Sequence, residues 1–374
     1  MGPDNAETRL IAIYALIEQG DFHAAMVKSR SLVQDQPNFQ LAQLVHGDLL
    51  RLRYKPDAPL SDTTHAQLAS LRAESRKRLD ALRNRPAPET VPHQFVALAP
   101  TSRHAIAIDA AHSRLYLFEN RTPVGAADKT PPNLQLVADF FISVGKSGID
   151  KRLEGDGRTP LGNYYITAAK DRKSLPAFYG AGALPINYPN AFDNHKGRTG
   201  SGIWLHGTPS NTYSRPPKAS EGCVVLTNQD LDIVAKSLQV GLTPVIISNS
   251  VEWLSFDDWA KERNELNKSI DAWRTDWESR DTERYMRHYS KRFKTNDQSL
   301  EQFAAQKKQV NASKEWIKVK TENLSVFRNP GKEEVVVVTF DQDYRSNNLN
   351  NLMKKRQYWL REDGKWKIIY EGSA

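Results

Sequence analysis

Ile203-Trp204-Leu205-His206-Gly207-Thr208 ends an apolar run on a histidine and a glycine, and Ser220-Glu221-Gly222-Cys223-Val224-Val225-Leu226 starts another on the only cysteine in the sequence. Thirteen residues separate His206 from Ser220, and Pro209, Pro216 and Pro217 stiffen them. A free thiol has a pKa of roughly 8.5 and is mostly protonated at neutral pH. A histidine beside it can take that proton and leave a strong nucleophile. A glycine just before the nucleophile lets backbone N–H groups approach a developing oxyanion. His206 and Cys223 are therefore the candidate base and nucleophile. A buried structural thiol beside a satisfied turn histidine is the alternative.

Around this pair the hydrophobic period is two. Ala105–Asp109 and Arg114–Phe118 read as strands joined by a short turn, and further strands are predicted near 136–144, 162–167, 203–205 and 244–248. One helix is predicted over 228–238. Residues 101–250 thus form a β-rich domain. Before it, helical spacing of Leu10, Ile13, Leu16 and Ile17, a break at Gly20-Asp21-Phe22 and a stop at Gln36-Pro37-Asn38 give a helical region over 1–85, resembling a single tetratricopeptide-like unit. Its last helix is predicted from Ser61-Asp62 to Arg85. Pro86, Pro88, Pro92 and Pro100 mark 86–100 as a linker. After Ser250, a helical stretch to 295 carries Trp253, Trp259, Trp273 and Trp277. Strands are predicted over 316–320, 334–340, 355–361 and 365–370, the last two joined by Glu362-Asp363-Gly364. Residues 251–374 read as an α+β unit, and the whole chain as multidomain α+β.

The 374 residues are 39% hydrophobic and 26% charged, which suits globular domains with real cores and excludes collagen, coiled coil and wholesale disorder. No apolar run approaches the ~18 residues of a membrane span. Fifty-two basic against 44 acidic residues give +8, spread along the chain without the dense tract that nucleic-acid binding would favour. One cysteine excludes an internal disulfide and a cysteine-based zinc site. His104, His112, His195 and His288 show no metal-ligand spacing, and Gly155-x-Gly157 lacks the rest of a phosphate loop. Arg198, Tyr213, Arg215 and Lys218, close in sequence to the two motifs, are candidates for binding an acidic substrate, with Ser220 beside them.

The two motifs together resemble the L,D-transpeptidase (YkuD-type) signature. Val144-Gly145-Lys146 and Gly155-Asp156-Gly157-Arg158-Thr159-Pro160-Leu161-Gly162-Asn163-Tyr164-Tyr165 resemble a second family segment, in the right order. The resemblance covers about 101–250 and implies a β-sandwich. It implies Cys223 as nucleophile, His206 as base, the Gly207 carbonyl orienting the imidazole, and the N–H groups of Gly222 and Cys223 as oxyanion hole. The substrate it implies is a peptidoglycan stem peptide, cut between the L-centre of the diamino acid and D-alanine through a Cys223 thioester, without metal or organic cofactor. It also implies acylation of Cys223 by carbapenems and a periplasmic location, any signal peptide having been removed.

Two positions depart from the commoner pattern. Glu221 stands where most family members have His, and Val225 where most have Arg. The C-terminal region, with Arg284-Tyr285-Met286-Arg287-His288-Tyr289-Ser290 and the strand ending Trp366-Lys367-Ile368-Ile369-Tyr370, resembles a nuclear-transport-factor-2-like cone. Domains of that kind accompany cell-shape L,D-carboxypeptidases, in which water resolves the thioester and tetrapeptide becomes tripeptide. Transpeptidation or D-amino-acid exchange is the alternative, and a non-catalytic peptidoglycan-binding module, inert at Cys223, the second. An active enzyme is expected to depress the Cys223 pKa. The helical region or the C-terminal domain is a candidate surface for cell-wall or envelope protein partners.

Overall fold

The computed structural model describes residues 5–54, 65–123, 133–295 and 297–374. Four helices, Ala6–Glu18, Phe22–Asp35, Gln40–Tyr54 and His65–Arg83, open the chain. Asn5 and Asp21 cap the first two, accepting from the N–H groups of Thr8 and Ala24, where the first-turn donors lack helical partners. Leu10, Ile13, Leu32, Phe39, Leu41 and Leu49 fill their shared core. The start expected at Ser61-Asp62 lies outside the described residues.

The central domain is a sandwich. One sheet has the order 134–141, 114–120, 104–109, 244–248, 162–165, with only the 104–109/244–248 pair parallel. The other runs 224–225, 204–206, 182–185, 170–171. Ile106, Ile108, Leu115, Leu117 and Ile247 from the first share a core with Leu184, Leu205 and Val224 from the second. Thr227 caps the helix Asn228–Lys236.

The helical region is bonded to this sandwich by buried charge. Arg78 pairs with Glu74 at 2.8 Å and Glu7 at 2.9 Å, and Arg114 of the sheet pairs with the same Glu7 oxygen at 2.8 Å and with Asp139. Burial costs each ion its hydration, so these groups persist only as a mutually paired set. The two arginines hold the Glu7 carboxyl below its usual range against the opposing effect of burial.

Residues 86–100, expected to be a linker, are instead built into two sheets. Thr90–Pro92 pairs with Trp253–Ser255, and Phe95–Ala97 forms the edge of the C-terminal sheet beside Ile317–Asn329. Val91 and Phe95 are buried, Phe95 lies edge-on to Phe118 and Phe327, and the Trp259 indole N–H donates to the Phe95 carbonyl. Prolines at strand ends sacrifice few ladder bonds, so their density did not prevent pairing.

The C-terminal domain has helices Phe256–Glu278, Thr282–Met286 and Leu300–Ala312 against strands 317–329, 335–346, 350–362 and 365–373, all antiparallel neighbours. Trp259, Leu266, Ile270, Trp273 and Trp277 recur at helical spacing and are all buried. Helix Leu300–Ala312 was not anticipated, because only Phe303 and Asn311 are buried on it. Its signal is the capping box Ser299-x-x-Gln302. The domain meets the sandwich where Phe192 stacks on Tyr358 at 3.9 Å. Among the described residues no helix is long and apolar enough to cross a membrane.

Candidate active site

Strands Trp204–His206 and Val224–Val225 are parallel neighbours, with Leu205 opposite Val224 and His206 opposite Val225. Continuing that register places Cys223 opposite Trp204, two residues from His206 along the strand. Adjacent strands lie ~4.8 Å apart and rise ~3.3 Å per residue, so the two Cα atoms are roughly 8 Å apart. Trp204 and His206 share a face, as alternate strand residues do. Tyr179 covers both, its ring 5.0 Å from Trp204 and 5.1 Å from His206.

His206 is 1% exposed. Its Nδ1 lies 2.7 Å from the Gly207 carbonyl oxygen. A carbonyl only accepts, so Nδ1 carries the proton and Nε2 presents a lone pair. Burial pulls the His206 pKa down to about 4, and neighbouring Arg215 adds to the effect, so the imidazole is neutral at pH 7. Asn228 fixes the backbone around it. Its Oδ1 accepts from Ala181 and Thr208 N–H, and its Nδ2 donates to the Thr208 carbonyl. A Cβ at Gly207 would sit 2.1 Å from Asn228 Oδ1 and so would push that amide off its backbone partners.

The turn that presents Cys223 is equally constrained. Gly222 has φ +130°, and a Cβ there would lie 2.7 Å from the Arg158 carbonyl. The buried Thr159 hydroxyl donates to the Gly222 carbonyl at 2.8 Å and accepts from Gly145 N–H at 2.9 Å. The Thr-Pro segment thus holds the Cys223 turn in place. The Cys223 Sγ lies 3.5 Å from the Gly202 carbonyl and accepts from the Trp204 N–H. Burial pushes the thiol pKa up, against smaller opposing effects of the Trp204 N–H, Arg215 and Lys151. The depressed thiol pKa expected of an active enzyme is therefore absent at rest. Thiol and imidazole are both neutral at pH 7.

The other expected site residues divide. Arg215 stays at the site, its guanidinium 4.4 Å over the Phe178 ring, which is itself 5.7 Å from the His206 ring. Lys218 is exposed on the short strand Lys218–Ser220. Ser220 is buried in the turn, donating its hydroxyl to the Cys223 carbonyl at 2.6 Å and accepting from the Gly222 N–H at 3.1 Å. That bond occupies one of the two N–H groups expected in the oxyanion hole. Arg198 is no free cation: it pairs with Asp193 at 3.1 Å and Asp150 at 3.2 Å and donates to the Leu161 carbonyl. Tyr213 faces away from the cleft and belongs to the core of the N-terminal helices, its ring 4.2 Å from Phe39.

Sequence reasoning missed Phe178, Lys151, Thr159 and Asn228 as site residues. Lys151 is buried, held by Asp156 at 2.9 Å and the Leu153 carbonyl, and its charge reaches the thiol. Its signal was its place beside the glycine-rich segment. Glu221 is exposed and pairs with Lys146 at 2.6 Å, while Val225 is buried opposite His206 on the neighbouring strand.

Residues 103–247 match the family model of the L,D-transpeptidase catalytic domain, and residues 265–372 match that of the Cds6 C-terminal NTF2-like domain. The probable L,D-transpeptidase ErfK/SrfK of Escherichia coli K12 is 28% identical over 200 residues, 50% of this chain and 58% of that protein. Its Salmonella typhimurium namesake is 27% identical over 173 residues, 44% of this chain and 50% of that protein. The chain thus spans little more than half the length of the curated relatives it matches. Among solved structures, Bd1075 of Bdellovibrio bacteriovorus superposes with TM-score 0.65 at 29% identity, covering 76% of this chain and 98% of that one. Pgp2 of Campylobacter jejuni, described as a helical cell shape determining protein, superposes with TM-score 0.59 at 26% identity, covering 72% and 91%.

Proposed function

We propose, from the premise that the central domain is an L,D-transpeptidase catalytic domain, that this chain is an extracytoplasmic peptidoglycan L,D-carboxypeptidase. The observation that carries the chemistry is the His206 ring, neutral and held by Gly207 with its lone pair on Nε2, on the same sheet face as Cys223. His206 Nε2 takes the thiol proton as Sγ attacks the carbonyl of the diamino acid. The Cys223 N–H is the backbone donor assigned to the oxyanion. The C–N bond breaks, the imidazolium protonates the departing D-alanine amine, and a thioester remains. His206 then deprotonates a water, which cleaves the thioester and restores the thiol. Proton transfer coupled to attack suits a resting pair in which both partners are neutral, because burial disfavours the thiolate and imidazolium alike.

Water as acceptor is supported by the residues at positions 221 and 225. Glu221, paired with Lys146, stands at the position where the commoner pattern has His, and Val225, buried opposite His206, brings no charge where that pattern has Arg. A role in cell shape is supported by likeness over 72% of this chain to Pgp2, described as a helical cell shape determining protein, and a periplasmic location by the peptidoglycan substrate that the catalytic-domain match implies. Arg215, held over the half-exposed Phe178, is the cation assigned to the substrate carboxylate.

Disaccharide-tetrapeptide muropeptides incubated with the protein, with Cys223→Ala as control, test this reading. Cys223-dependent loss of D-alanine to give only tripeptide is the expected result. Cross-linked dimers or incorporation of added D-amino acid would replace it with transpeptidation.

A further inference from the structure

Loop 208–217 carries Arg215 between two anchors. On one side, the Pro217 carbonyl accepts from Val144 N–H of the sandwich at 3.0 Å. On the other, the loop is bonded to the N-terminal helices. The Asn38 side-chain amide donates to the Ser210 carbonyl at 3.0 Å, and the Tyr213 N–H donates to the Asn38 carbonyl at 3.2 Å. The Ser214 hydroxyl donates to Glu74 at 2.7 Å. The Tyr213 ring lies among the helices' own core residues. Glu74 belongs to the buried charge set of Arg78, Glu7 and Arg114, so the anchor continues into the sheet itself. Arg215 is the second residue after Tyr213, followed by Pro216 and Pro217, which restrict the backbone.

We propose that the helical domain is a positioning element for the reaction: Phe39 and Asn38 clamp Tyr213, and the clamp sets Arg215 against Phe178 and Cys223. The inference rests on the reading of Cys223 as the nucleophile and deepens it, assigning to Tyr213 a positioning role in place of the substrate contact expected from sequence. A displaced guanidinium costs the site both its substrate cation and the positive charge beside the thiol. Misplacements of about 1 Å at such groups can cost up to about a hundredfold in rate.

Two readouts on the full chain test it. Turnover of tetrapeptide muropeptide is expected to fall about tenfold in kcat/KM for Tyr213→Ala, while Tyr213→Phe, which keeps the ring, stays within about twofold of the parent. In an Arg215→Ala background, Tyr213→Ala is expected to add less than about twofold, because its effect runs through Arg215. The second readout needs no substrate: alkylation of Cys223 by iodoacetamide against pH. Tyr213→Ala is expected to move its midpoint upward, as Arg215→Ala does. Should Tyr213→Ala fail to fold, Phe39→Leu loosens the same stack from the helix side. Full additivity of Tyr213→Ala with Arg215→Ala, or an alkylation profile unmoved by either clamp variant, overturns the proposal. A parent protein without turnover but with the expected alkylation shifts would reject the carboxypeptidase reading and leave the clamp standing.

Discussion

Burial keeps the His206 imidazole neutral over a wide pH range, against the opposing pull of the Gly207 carbonyl on its Nδ1–H. His206 therefore stays unprotonated down to about pH 4, well below the 6.5 of a free imidazole, as the proposed base must. The pH profile of kcat/KM is expected to be flat from pH 7 to 5 on its acid side, with its midpoint near 4. The same burial has a cost. The unfolded chain protonates this residue near 6.5 and the folded chain only near 4, so the unfolded state binds more protons in between. Native stability is expected to fall as pH drops through that window, by about 3 kcal/mol from this group. Comparing thermal midpoints of the parent and His206→Gln across pH 4–7 isolates the contribution, since the variant should lose that part of the slope. Gly222 gives a second residue-scale prediction. An alanine there meets the Arg158 carbonyl at 2.7 Å in a backbone region that suits glycine. Gly222→Ala is expected to cost about 1–3 kcal/mol and to abolish Cys223 alkylation at neutral pH, read by denaturant titration and mass spectrometry.

At the scale of elements, paired strands were legible where pattern and pairing were local. Ala105–Asp109 and Arg114–Phe118 alternate and lie a turn apart, and they form the antiparallel pair expected. The strand that ends on His206 and the one that follows Cys223 were legible as apolar runs bounded by glycine turns, and they pair as parallel neighbours. Thr90–Pro92 and Phe95–Ala97 were not. Each is three residues long among prolines, and their partners lie more than 150 residues away in sequence. Tyr213 and Arg198 were read as cleft residues on sequence proximity alone. Their partners, Phe39 for one and Asp150 and Asp193 for the other, depend on the tertiary path of the chain. The element that repays a test is the helix His65–Arg83. Arg78 on it neutralises Glu7 and Glu74, both buried. Arg78→Met leaves two buried carboxylates without it and is expected to cost about 3–5 kcal/mol in chemical denaturation.

Across the whole molecule, both flanking domains are bonded to loops of the central domain. The helices hold loop 208–217 through Tyr213. The C-terminal sheet stacks Tyr358 on Phe192, one residue from Asp193, whose pairing with Arg198 and through it Asp150 ties this segment to the glycine-rich loop. Tyr358→Ala is accordingly expected to loosen these loops as well as the domain contact, seen as faster amide exchange in residues 149–162 and 190–199. The three-part organisation was legible from shifts in period and composition. How the parts join was not, because the joints are made of single side chains that no periodicity marks. The central claim is that Cys223 becomes acylated by the stem peptide. The most direct measurement is the intact mass of the protein after rapid acid quenching with tetrapeptide substrate, followed by peptide mapping. The account predicts a transient adduct on Cys223 equal to the substrate less D-alanine, lost in Cys223→Ala. D-Alanine release that persists in Cys223→Ala, or an adduct on another residue, would contradict it.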